Sequence, residues 1–203
     1  LMMNVLGVSD NDAKQLADNI IDWRDIGRHE VTGFFSDDYY KNLEFPYEMK
    51  DAPYERPDEL LLIKGMSAAM YEKIAPYITV AGDGRVNVNT ASFNILVALG
   101  LDAAVAEKVL QARRGPDGIE ATKDDHIFYK TFDIASEVGA VVKLDEKESR
   151  QIDALNKMGL LGADSFEYSF RSQVRASGSS GETKTIFCMI NALNNKIDYW
   201  YEK

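Results

Sequence analysis

Near residue 164 the hydrophobic period of this 203-residue chain changes. Upstream, apolar residues recur at helical spacing, as in Leu16, Ala17, Ile20 and Ile21, or Val105, Ala106, Val109 and Leu110. Downstream, Phe166, Tyr168, Phe170 and Val174 alternate with Glu167, Ser169, Arg171, Gln173 and Arg175, the period of a half-buried strand. A Gly/Ser turn at 177–182 leads to a second strand over 185–193. Asn194-Asn195 then turns the chain into a third strand over 197–201. The three segments predict an antiparallel meander. Three strands are not stable by themselves, so something apolar must cover one face. The chain therefore reads as α+β, with a helical domain over 1–163 and a β-meander over 164–203.

Helix boundaries are marked along the first part. Ser9 and Asp12 stand at capping-box spacing, with Asp in place of the usual Glu, and that helix ends near Trp23. Pro57-Asp58-Glu59-Leu60 opens another, with Pro in the first turn and acids at the positive helix end. Ser67 caps a short helix that Pro76 stops. Asn87 and Asn89 are placed to close turns through their own amides. Thr90 is read as the N-cap of a helix carrying Phe93, Ile95, Leu96, Val97 and Leu99, ended by Gly100. Asp102, Thr131 and Asp145 are read as the starts of three more, and Gly115-Pro116-Asp117-Gly118 as a turn.

Between these helices lies an irregular, acidic and aromatic segment at about 24–57. It holds Phe34, Phe35, Tyr39, Tyr40, Phe45, Tyr47 and Tyr54. So many aromatics argue against disorder, and a structureless loop this long points to function or a metal.

Charge narrows the function. Asp and Glu number 33 against 23 Lys and Arg, a formal net charge of −10. That balance opposes non-specific nucleic-acid binding, although it leaves room for a local basic face. One cysteine, Cys188, allows no disulfide within the chain and sits mid-strand like a buried, inert thiol. Ser179 and Ser180 lie in the Gly/Ser turn without a nucleophile-elbow pattern. No grouping of nucleophile, base and orienting residue emerges, so the chain is read as non-enzymatic. No apolar run reaches the roughly 18 residues of a membrane span. The chain begins Leu1-Met2-Met3 close to helical material, and an upstream segment carrying an anchor is expected.

Taken together, several elements resemble the K-type minor pseudopilin of the type II secretion system. They are Ile20-Ile21-Asp22-Trp23-Arg24-Asp25, Asp37-Asp38-Tyr39-Tyr40, Asp58-Glu59-Leu60 through Lys64-Gly65-Met66, Pro76-Tyr77-Ile78-Thr79-Val80, and Val86-Asn87-Val88-Asn89-Thr90-Ala91. Their order and spacing, with the closing meander, carry the resemblance. It implies a pilin-like antiparallel meander with a large inserted domain of helix-hairpin-helix (SAM-like) units. It implies a capping role at the pseudopilus tip, with the I- and J-type minor pseudopilins and the H-type as partners. It also implies a periplasmic domain anchored in the inner membrane by an N-terminal helix. The family binds calcium in its helical domain, which makes Asp25, Glu30, Asp37 and Asp38 the candidate ligands. Gly27, Arg28 and His29 interrupt the acidic run there.

The competing reading is a DNA-binding helix-hairpin-helix protein resembling competence DNA receptors, which share the N-x-N-T-A element. Lys64 and Ser67 would be its phosphate contacts, and Asp102 would repel phosphate at the second hairpin. Trp200 faces away from Tyr199 and Tyr201 at period two. It would either fill the covered sheet face or anchor a partner.

Overall fold

The computed structural model describes residues 1–25, 36–175 and 183–202. The chain divides into two compact units: 1–80 with 94–98, and 81–93 with 99–203. This is a different line from the 163/164 boundary read from the hydrophobic period. The period marks the type of element, whereas contacts decide which elements form a unit.

The first unit contains α1 (Met2–Leu6), α2 (Asp10–Arg24), α3 (Ser36–Lys41) and α4 (Ala68–Ile74), with 3-10 turns at Pro57–Leu62 and Ala75–Tyr77. Residues 94–98 of α5 (Phe93–Ala98) complete it. Ser9 caps α2 as its spacing predicts, its Oγ accepting the Asp12 amide at 3.2 Å. Asp12 does not return a bond to the Ser9 amide as a capping-box Glu would, and instead accepts the Ser9 hydroxyl at 2.7 Å. Ser67 caps α4 through the Met70 amide. The segment read as a helix from Pro57 is a single 3-10 stretch.

The core of this unit is aromatic. Trp23, Tyr40, Met49, Leu60, Ile63 and Ile74 are buried together. Trp23 meets Tyr40 edge to face, with centroids 5.4 Å apart, and Tyr47 at 6.0 Å. Three tyrosine hydroxyls then fasten backbone groups. The Tyr47 hydroxyl donates to the Leu62 carbonyl and that of Tyr54 to the Ile20 carbonyl, both at 2.7 Å, while the Tyr40 oxygen accepts the Lys64 amide. Tyr40, Tyr47 and Tyr54 therefore tie the described part of 24–57 to the core, while Phe45 is exposed and Phe34 and Phe35 lie outside the described residues.

The second unit holds β1 (Val86–Asn87), α6 (Ala103–Arg113), α7 (Ile134–Val141), α8 (Glu146–Lys157) and β2 (Leu161–Gly162). The meander β3 (Glu167–Arg175), β4 (Thr183–Asn191) and β5 (Lys196–Glu202) closes it. Val105, Ala106, Val109 and Leu110 are buried, as the helical stripe predicts. Asp145 caps α8 in a full capping box with Glu148. The strands run antiparallel in the order β3-β4-β5. β1 and β2 pair in parallel, Val86 beside Leu161 and Asn87 beside Gly162, which no periodicity announces in strands of two residues.

Three sequence-read caps take other roles. Thr90 closes the turn after β1, its hydroxyl reaching the Asn87 carbonyl at 3.5 Å, and α5 begins three residues later at Phe93. Asp102 holds the N-cap position of α6 without a capping bond, because Lys147 and Gln151 of α8 engage its carboxylate. Thr131 lies ahead of α7, where its carbonyl accepts Asn156 and its hydroxyl accepts the Ala163 amide at 3.3 Å. Asp133 stands at the helix start instead.

Asn89 joins three segments of this unit. Its Nδ2 donates to the Phe128 carbonyl at 2.9 Å and to the Ala163 carbonyl at 2.8 Å, and its Oδ1 accepts the Phe128 amide at 2.8 Å. Asn87 Oδ1 accepts the Asn89 amide, fixing the turn that aims this side chain. Phe128 has no exposed surface, so its backbone groups have no ready replacement partner in water. Asn89→Ala is predicted to cost about 2–3 kcal/mol, the range for stranding such groups. Chemical denaturation of the two proteins checks it; a loss below about 0.5 kcal/mol would show that the clamp carries no stability.

Candidate functional site

Of the four candidate metal ligands, Asp25 and Asp38 have described side chains. Asp25 closes α2 and its carboxylate accepts Arg24 Nε at 2.6 Å. Asp38 is exposed on α3. Asp37 also lies on α3, but its side chain falls outside what is described, and Glu30 falls outside the described residues altogether. Among the described residues no group of three or more His, Cys, Asp and Glu side chains is placed to hold a metal.

The candidate phosphate contacts are committed elsewhere. Lys64 Nζ lies over the Tyr39 ring, 4.8 Å from its centroid, and Ser67 Oγ is occupied by the Met70 amide. Asp124 and Asp125 serve their own loop. Asp124 accepts the Asp117 amide and the Thr122 hydroxyl, and Asp125 accepts the Ala121 amide. Gly115 is required there: at φ +63° an added Cβ would lie 2.2 Å from the Asp124 carbonyl oxygen.

Arg113 and Arg114 read in the sequence as helix-end cations, and the first of them does more. Arg113 is buried, donating to the Val88 carbonyl at 3.1 Å and the Ala91 carbonyl at 2.8 Å, and pairing with Glu120 at 2.6 Å. It stands four residues after Val109 on the buried stripe of α6, and a cation at that position is the signal that was available. Helix-end electrostatics account for Arg114 but not for this inward reach.

The meander presents two unlike faces. Cross-strand pairing puts Tyr168 beside Ile190, Phe170 beside Cys188, and Cys188 beside Trp200. Cys188 is buried, as its period predicts, yet Phe170 is 57% and Trp200 52% exposed. The strand read as half-buried is therefore uncovered on its apolar side. On the opposite face Phe187 stacks on Tyr201 with centroids 5.4 Å apart, and Tyr199 packs beside both.

Known proteins place this arrangement. Residues 1–83 match the family model described as type II secretion system (T2SS), protein K. The chain is 35% identical over 121 residues to type II secretion system protein K of Aeromonas hydrophila, covering 55% of this chain and 37% of that protein. It is 30% identical over 143 residues to protein K of Pseudomonas aeruginosa, covering 69% of this chain and 42% of that one. The chain belongs to the type II secretion system protein K family. It spans less than half the length of these relatives. A chain in the crystal structure of the GspK-GspI-GspJ complex from enterotoxigenic Escherichia coli shares its fold. The TM-score is 0.64 at 17% identity, with all of this chain and 67% of that chain covered. Nothing in these likenesses supports the DNA-binding alternative.

Three carboxylates of this chain are engaged in structural hydrogen bonds. Glu148 is held below the ordinary glutamate range by hydrogen bonds from Lys108 at 2.6 and 2.7 Å, then by the Asp145 amide. Asp102 is lowered by Gln151 and then Lys147. Glu120 is lowered first by its hydrogen bond from Arg113. For groups depressed in the folded state, the unfolded chain binds protons first as pH falls. Their contribution is complete above the ordinary carboxylate range, near pH 4–5, and lost as pH drops through the lowered native values. The melting temperature is therefore predicted to fall on acidification below about pH 4.5. Glu148→Gln should lower it at pH 7 and flatten the acid limb. An unchanged limb in that variant would remove Glu148 from the account.

Proposed function

We propose that this chain is the helical and sheet part of a minor pseudopilin, a non-enzymatic assembly subunit at the tip of the type II secretion pseudopilus. The I- and J-type minor pseudopilins are its direct partners, with the H-type next in the filament. It works on the periplasmic side, anchored to the inner membrane by a helix outside these residues. The observation that carries this reading is the meander, whose apolar face around Cys188 is uncovered while the helical parts bury their own cores. A sheet so built is completed by packing against a further element. Membership of the protein K family and the fold shared with a chain of a GspK-GspI-GspJ complex support the assembly role. The helices joined by the turns at 64–67 and 99–102 are read as helix-hairpin-helix (SAM-like) pairs that serve packing. The bulk of the helical part caps the filament by leaving no seat for a further subunit.

The test is co-purification with the soluble I- and J-type domains from the same genome, followed by light scattering. One copy of each in a stable complex is expected. A chain that remains alone with and without calcium would overturn the reading.

We also propose calcium in the segment containing Asp25, Glu30, Asp37 and Asp38. Its support is the density of acids there and the family's calcium binding, and the Arg24 contact to Asp25 counts against it. Calorimetric titration with calcium should show binding in the parent and none in Asp37→Asn/Asp38→Asn. Equal binding by both proteins would move the ion elsewhere.

A further inference from the structure

The second face of the meander is a cationic, aromatic platform on an acidic chain. Two hydrogen bonds fix which residues share it. Gln173 Nε2 donates to Thr185 Oγ1 at 3.3 Å across β3 and β4, and Asn191 Nδ2 donates to Glu167 at 2.9 Å. Between these pairs Arg171 stands opposite Phe187, and Phe187 opposite Tyr201; Arg175 stands opposite Thr183 on the same side. The platform is therefore a row of arginines along β3 beside a stacked aromatic row on β4 and β5.

These arginines differ from the other described ones. Arg24, Arg56, Arg85, Arg113, Arg114 and Arg150 each pair with a carboxylate. Arg171 and Arg175 are exposed and make no ion pair among the described residues, in a chain with 33 acids against 23 bases. Where acids are in excess, an intramolecular partner is easy to find, so two unpaired guanidiniums beside one aromatic stack mark a surface complementary to something acidic. Aromatic and arginine side chains are also those that dominate binding energy at interfaces.

We propose that this face docks an acidic protein segment. The two arginines lie four strand positions apart, about 13 Å at the rise of a β-strand. The segment would carry two carboxylates at that separation, with an apolar side chain between them seated on Phe187 and Tyr201. A polyphosphate backbone fits less well, because the remaining negative charge of the chain repels a long continuous polyanion. The inference is independent of the tip assignment.

Fluorescence anisotropy with a labelled peptide repeating Glu-Ser-Leu-Ser, whose glutamates four positions apart flank a leucine on one face of an extended chain, tests it, alongside the same peptide with lysine for glutamate and a labelled decathymidylate. The acidic peptide should bind and the lysine peptide should not. Arg171→Glu/Arg175→Glu should weaken binding by at least about tenfold, and Arg171→Lys/Arg175→Lys should retain most of it. Both positions are exposed, and Arg171→Gln/Arg175→Gln gives the same comparison should the charge reversal disturb folding. Equal binding by parent and the Glu or Gln variant, or no binding by the parent, overturns the proposal. Decathymidylate binding more tightly than the acidic peptide also overturns it, in favour of a nucleic-acid platform.

Discussion

The second unit depends on one primary amide. Asn89 presents two donors and one acceptor to backbone groups of Phe128 and Ala163, which lie 39 and 74 residues downstream. The β1–β2 ladder is only two residues long, too short to hold its register alone. The amide clamp and Arg113, which takes the Val88 and Ala91 carbonyls, fix the same turn from opposite directions. Replacing the asparagine by any apolar residue strands several polar groups at once, which explains why the position demands this side chain rather than a similar volume.

This changes what the N-x-N-T-A element means. Shared by readings as distant as a DNA receptor and a secretion subunit, it looks like a recognition motif. In the structure its side chains point at other parts of the same backbone. The first asparagine shapes the turn and the second commits both its donors and one acceptor bond inside the protein. Such an element marks a fold, and function has to be sought on the surfaces that the fold leaves open.

The caps show how much the sequence could tell. Ser9, Ser67 and Asp145 each bond an amide three residues on, so local spacing identifies them. Asp102 and Thr131 have ordinary cap chemistry but were claimed by partners 25 to 49 residues away, which spacing does not reveal. The meander was legible because period two survives whatever covers the sheet, and its exposure was not, because exposure depends on what is packed there. Trp200 does lie on the face opposite Tyr199 and Tyr201, as alternation requires. Of the four acids named for calcium, Glu30 lies outside the described residues, and the described Asp25 had an adjacent arginine to satisfy it.

The first compact unit contains one segment out of sequence. Its continuous part ends at Val80, close to where the family model ends at residue 83, yet residues 94–98 also belong to it, and Leu96 there has no exposed surface. The chain thus leaves this unit, contributes Asn87 and Asn89 to the other, returns for five residues and leaves again. The division between the units therefore does not fall at a single point of the sequence. A gene fragment cut at the apparent module end would encode the unit without its residues 94–98, so grafting or shuffling between relatives has to carry the stretch through residue 98 as one piece.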